Sequence, residues 1–448
     1  MGKKILPVLF LCFFYCNLWG QQDTTLEGNS KADSVKTKKG WSFGAVPALG
    51  FDTDIGFKYG AVVNLFNYGK GDIYPNYLYS IYFEWSRTTK GSGINQIFFD
   101  SKYLLPWKIR ITSDLSFLTE QTLNFYGFNG YQAYYNHALE DEQSNQYISR
   151  VFYRCDRRLL KFTTDLQGKL TDNNLRWLAG IAVFDTKVSS VDIGKLNEGK
   201  AEKDKLPDVP GLYDRYVSWG IIPAGQAKGG TSNFLKLGLI YDSRDNEPNP
   251  MKGIWTEAML MVAPSFTGNK KFDYTQLALI HHQYFTLAEK KLSLACRIGW
   301  QTKLSGHIPF YMLPYMLSSY QTYDGLGGAK NMRGILRDRV VGDGFAYSNA
   351  ELRYKFLRTM LFKQNFYIAL SGFADAGMVT RKYKFDIAGV PQDQRYFFAD
   401  NAEKPHVSCG GGLHFALNEN FIVAFDYGMA TDRRDGNSGF YINLNFLY

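Results

Sequence analysis

The chain has 448 residues, of which 45% are hydrophobic, 16% aromatic and 21% charged, with a formal net charge of +9. The 34 Phe, 31 Tyr and 8 Trp exclude a disordered chain, and past the N-terminus no apolar run reaches the roughly 18 residues of a membrane-spanning helix. Lys and Arg alternate with acids instead of forming a stripe, so nucleic acid is not an expected partner. Moderate hydrophobicity, many aromatics and 43 Gly together suit a transmembrane β-barrel, whose apolar residues are diluted by alternation.

In chain order, Lys3 and Lys4 precede the apolar stretch Ile5 to Tyr15, and Gly20 stands where cleavage would fall. Residues 1–20 therefore read as a secretory signal peptide. Residues 21–40 are polar and aperiodic, a flexible periplasmic lead-in. Residues 41–448 are expected to form one outer-membrane barrel. Cys12 and Cys16 fall in the leader, and Cys155, Cys296 and Cys409 have neither zinc nor disulfide spacing.

Period-two alternation carries the barrel reading. Phe57, Tyr59, Ala61, Val63 and Leu65 oppose Lys58, Gly60 and Asn64; Tyr77, Tyr79, Ile81, Phe83 and Trp85 oppose Ser80, Glu84 and Ser86. Leu235, Leu237, Leu239 and Tyr241 oppose Lys236, Gly238 and Asp242, and Phe421, Val423, Phe425 and Tyr427 oppose Ala424, Asp426 and Gly428. Such segments have one apolar and one polar face. Their length of about 10 residues and their aromatic ends suit a tilted strand crossing a bilayer.

Short turns are expected at Tyr68–Asp72, Leu105–Trp107, Leu170–Asn174, Ala288–Lys291 and Asn418–Asn420. Long connections are expected at Glu120–Arg158, Ser189–Ser232, His307–Gly344 and Val379–Lys404. The count between them gives an all-β, antiparallel barrel of about sixteen strands. The last segment alternates Phe440, Ile442, Leu444, Phe446 and Tyr448 against Tyr441, Asn443 and Asn445. Its closing aromatics, Phe446 and Tyr448, resemble the C-terminal signal by which outer-membrane barrels are recognised for assembly.

Three motifs follow in the second half. The connection His307–Gly344 contains Arg333-Gly334-Ile335, the next segment contains Asn349-Ala350-Glu351-Leu352-Arg353, and the one after contains Phe373-Ala374-Asp375-Ala376-Gly377. Parity alone puts Glu351 on the polar face with Asn349, Arg353 and Lys355, and Asp375 on the face shared by Phe373 and Gly377. A buried carboxylate needs a partner, and a guanidinium offers two hydrogen bonds to it.

In this order the motifs resemble the BamA/TamA superfamily, also called the bacterial surface antigen family, most strongly over residues 233–448. The resemblance implies that the long connection folds into the lumen and that its Arg333 meets Asp375 and Glu351. Ile335 stands where the family usually has Phe or Tyr. The family's periplasmic POTRA modules do not fit in residues 21–40, since small domains need about 50 residues; the resemblance therefore implies a barrel-only member.

Enzyme chemistry is not expected. His281 and His282 are adjacent and point to opposite faces of a strand, and no Gly-x-Ser-x-Gly elbow occurs. No metal or cofactor is expected. The implied activity is insertion or translocation of proteins at the outer membrane, through a weak seam between first and last strands. Its partners would be the lipid bilayer, protein clients and periplasmic proteins, with a homo-oligomer left open. The alternatives are a passive pore or lipid-handling barrel, and an outer-membrane lipid-modifying enzyme.

Overall fold

Alternation along each strand sets the architecture. The computed structural model describes residues 38–448 except Pro75, 172–173, Pro248, 270–271, 320–324, 362–363, 399–401, 418–420 and 445–447. The expected signal peptide, most of the lead-in and Phe446 lie outside the described residues.

The strands are β1 (Trp41–Pro47), β2 (Gly50–Asp52), β3 (Gly56–Asn67), β4 (Tyr79–Thr88), β5 (Ser92–Ser101) and β6 (Arg110–Asn124). Then come β7 (Arg154–Lys169), β8 (Leu175–Ser189), β9 (Gly229–Asp242), β10 (Gly253–Ala263), β11 (Tyr274–Ala288) and β12 (Leu292–Gly306). The last are β13 (Gly344–Leu361), β14 (Gln364–Arg381), β15 (His406–Leu417), β16 (Phe421–Ala430) and β17 (Ser438–Leu444).

Each strand from β3 to β17 pairs antiparallel with its neighbours in sequence, and β17 returns to β2. β1 and β2 both pair with β3, so they are one strand broken at Ala48 and Leu49. Counted so, this is a closed antiparallel barrel of sixteen strands. It bears out the count taken from alternation.

The barrel is polar inside and apolar outside. On β13, Asn349, Glu351, Arg353 and Lys355 are buried, while the intervening Leu352, Tyr354 and Phe356 are exposed. On β9, Leu235, Leu237, Leu239 and Tyr241 form an exposed apolar row. A water-soluble barrel would show the reverse; apolar side chains pointing out suit hydrocarbon. No helix among the described residues is long and apolar enough to cross a membrane, which does not bear on strands.

The four long connections, 125–153, 190–228, 307–343 and 382–405, leave the barrel at the same end. Tyr126, Phe152, Tyr216, Trp219, Phe310 and Phe397 from these connections pack into one aromatic cluster there. Several bounds differ from the sequence reading: the turn expected at Leu105–Trp107 spans 102–109, β9 begins inside the expected Ser189–Ser232 connection, and β14 runs into the expected Val379–Lys404 connection. The connection after β3 spans 68–78, longer than Tyr68–Asp72, and strands β6 and β7 extend into the ends of the expected Glu120–Arg158 connection. Ladder pairing such as Leu123↔Cys155 continues past the apolar belt, where alternation no longer marks it.

Candidate functional site

The strand register fixes one wall of the site. Across β13 and β14, Asn349 lies opposite Asp375 and Glu351 opposite Phe373. Strict alternation then sends Asn349, Glu351, Phe373 and Asp375 to the inner face, where each is buried.

Arg333 meets these residues from the connection 307–343. It is 1% exposed. Its Nε and Nη2 donate to Asp375 Oδ2 and Oδ1 at 3.1 and 3.3 Å, and its Nη1 donates to Glu351 Oε2 at 2.6 Å. Its main-chain N–H also donates to Asp375 Oδ2, at 3.0 Å. The guanidinium carbon lies 3.4 Å from the centroid of the Phe373 ring, which forms the floor of the site. The structure thus brings Arg333, Glu351, Asp375 and Phe373 together.

The backbone approach explains the neighbouring glycines. Gly334 has φ +89°, and a Cβ there would sit 2.5 Å from the Gly428 carbonyl carbon on β16. At Gly428 a Cβ would sit 2.6 Å from the Arg333 carbonyl oxygen. Two backbones touch here, so neither position has room for a side chain. At Gly377 the space is taken instead by side chains, since a Cβ there would sit 2.6 Å from Met332 Sδ and 3.1 Å from Leu326 Cδ1. Ile335 is buried in an apolar cluster with Met316, Leu326, Met332, Val340 and Phe345. The ring beneath the arginine is that of Phe373.

Several partners were not singled out from the sequence. Asp426 Oδ2 on β16 stands 3.6 Å from Arg333 Nη1, and its Oδ1 lies 3.0 Å from His414 Nε2. Asn349 Nδ2 donates to Asp375 Oδ1 at 2.8 Å and to the Asn331 carbonyl at 2.5 Å. Arg353 Nε donates to Glu351 Oε1 at 2.7 Å, and Tyr441 Oη on β17 accepts the Gly334 N–H at 3.0 Å. Their inward parity was legible, but alternation does not tell at what height along the barrel two distant strands meet. Three carboxylates surround Arg333, with Arg353 and His414 behind them.

Tyr448 departs from the alternation expected of it. It is not on the outer face with Phe440; Arg353 Nη2 donates to its main-chain oxygen at 2.8 Å. Among the described residues no group of three or more His, Cys, Asp or Glu is placed to hold a metal.

A family model described as the Omp85 superfamily domain matches residues 10–446. Among solved structures, BamA from Haemophilus ducreyi lacking POTRA domains 1–3 matches with a TM-score of 0.54 at 15% identity, over 91% of this chain and 71% of that one. CdiB from Escherichia coli matches with a TM-score of 0.55 at 10% identity, over 90% of this chain and 62% of that one. At such identities the likeness is one of fold. No curated protein sequence matches the chain significantly.

Proposed function

The chain belongs to the Omp85 superfamily, and from that membership we propose that it assists the insertion or translocation of proteins at the bacterial outer membrane. The observation that carries this reading is the seam. Among the described residues β2 and β17 share two register pairs, Tyr441↔Asp52 and Ile442↔Phe51, whereas β13 and β14 are paired from Gly344 to Leu361. Thr53 adds hydrogen bonds to the Phe440 backbone, at 3.2 Å to its oxygen and 2.8 Å from its nitrogen.

β1 pairs with β3, from Trp41↔Asn67 to Pro47↔Ala61. A strand edge is a template for an incoming strand, so opening of the seam would let a nascent barrel segment add there by main-chain hydrogen bonding. The reading needs no cofactor or catalytic group. Arg333, Glu351 and Asp375 would hold the connection 307–343 inside the lumen, closing it to passive flow and bracing the wall beside the seam. Phe446 and Tyr448 would serve in the barrel's own assembly, and the client would be a protein, reached with periplasmic partners.

Deleting the gene and comparing outer-membrane proteomes by quantitative mass spectrometry tests this. Loss of many barrels would mark a general insertase, and loss of one or two a dedicated export route. An unchanged proteome would remove the proposal and leave a pore or a lipid-handling barrel.

A further inference from the structure

The outer face of β11 interrupts its own apolar row. Its outward side chains include Leu279, His281, Gln283 and Phe285, and the inward Ala278, Ile280 and Tyr284 are buried. Leu279 and Phe285 are exposed, so the two polar residues between them stand within the apolar belt and not at its rim. The strand register widens the patch. Thr256 on β10 lies opposite His281, and its hydroxyl shares a 2.8 Å hydrogen bond with His281 Nδ1. On the other side Cys296 on β12 lies opposite Gln283, and Ala350 on β13 opposite Cys296.

Hydrocarbon makes this placement costly, because no water completes the hydrogen bonds of a polar group there. Thr256 and His281 answer each other. The Gln283 amide has no hydrogen bond among the described residues. It carries two N–H donors and a carbonyl acceptor, which favours a partner that brings an amide to the same depth. A second copy of the chain does so by symmetry. About a twofold axis each amide meets the other, N–H to carbonyl, and no charge is left to compensate. Cys296 and Ala350 are small, so two walls can approach closely beside that pair.

We propose that the outer face of β10 to β13 is the contact between two copies of this chain in the membrane, with the two Gln283 amides paired at its centre. Four strands about 4.8 Å apart, across an apolar band about 25 Å tall, present roughly 500 Å² per copy. A total of roughly 1,000 Å² sits at the lower bound for a specific interface, so the dimer forms reversibly. The seam strands β2 and β17 lie on another part of the wall and stay free in the dimer.

The test places p-benzoylphenylalanine at Ile298 of the full barrel in phospholipid vesicles. That position is 61% exposed and lies opposite His281 on one side and Ser348 on the other. Irradiation should give a dimer-sized adduct that mass spectrometry maps to β10 to β13 of the second copy. The same probe at the exposed Phe117 on β6 should give none. Gln283→Leu should weaken association by roughly tenfold, the loss expected for one amide pair across a membrane interface, read by single-molecule photobleaching at rising lipid dilution. Should that variant fail to fold, judged by heat-dependent gel migration, the double variant Thr256→Val, His281→Leu takes its place and should also weaken association. Monomers at every protein-to-lipid ratio, equal dimer adducts from Phe117, or unchanged association in a folded variant would overturn the contact. Adducts formed in whole cells with a different protein in place of a second copy would overturn it too.

Discussion

Replacing Arg333 with Ala should release the connection 307–343 from the barrel wall. The side chain is buried and makes two hydrogen bonds to Asp375 and one to Glu351. Removing one partner of a buried ion pair costs about 3–5 kcal/mol, because the other charge is left uncompensated. Here each carboxylate keeps some company. Asp375 retains Asn349 and the main-chain N–H of residue 333, Glu351 retains Arg353, and Asp426 retains His414. The low end, about 3 kcal/mol, is therefore expected. That corresponds to a roughly 150-fold larger population of the released connection.

Trypsin reads this population directly when opening is fast compared with cleavage. The rate of cutting after Lys330 and Arg337 in vesicle-embedded protein should rise by about that factor, and the gel-shift temperature should fall. Wild-type cutting rates and wild-type heat stability in the Ala variant would show that the arginine cluster does not hold the connection.

Tyr441→Phe removes the acceptor of the Gly334 N–H and should cost about 1–3 kcal/mol, read as faster amide exchange at Gly334; unchanged exchange would exclude that bond. Gly428→Ala places a methyl group 2.6 Å from the Arg333 carbonyl oxygen and should lower the folded yield. Gly372→Ala, with nothing within 4 Å of its Cβ, should not. Equal yields would refute the close backbone approach. In a background lacking Cys155, Cys296 and Cys409, paired cysteines at Phe51 and Ile442 should lock the seam on oxidation. The lock should arrest client assembly until reductant is added; full activity in the oxidised form would remove the seam from the mechanism.

Much of this barrel was legible because its physics is local. A strand that meets hydrocarbon on one side and polar groups on the other must alternate, so Leu352 and Tyr354 against Glu351 and Arg353 gave both the strand and its two faces. The charges of Arg333, Glu351 and Asp375 were visible because a carboxylate on an inward face needs a cation nearby. Asp426, Tyr441 and Gly428 escaped because their contacts with the Arg333 segment depend on the tilt and stagger of β16 and β17, which no periodicity encodes. Tyr448 misled for a related reason. Its place in the alternation is correct for a strand that continues, and it is set instead by arginines on β12 and β13.

The position of Arg333 in the chain has a temporal consequence. Every side chain it touches, at 351, 373, 375 and 426, and the Tyr441 hydroxyl beside it, comes later in the sequence. The connection cannot lock when only its own flanking strand β12 is in place; its hydrogen bonds wait for β13 and β14, and its contacts with Asp426 and Tyr441 come with β16 and β17. Three separate strands then report to one guanidinium, and a fourth to the neighbouring Gly334 N–H. A barrel lacking β16 and β17 would keep the Arg333 bonds to Asp375 and Glu351 but lose Asp426 and the Tyr441–Gly334 bond, so the last two strands tighten a contact that β13 and β14 begin.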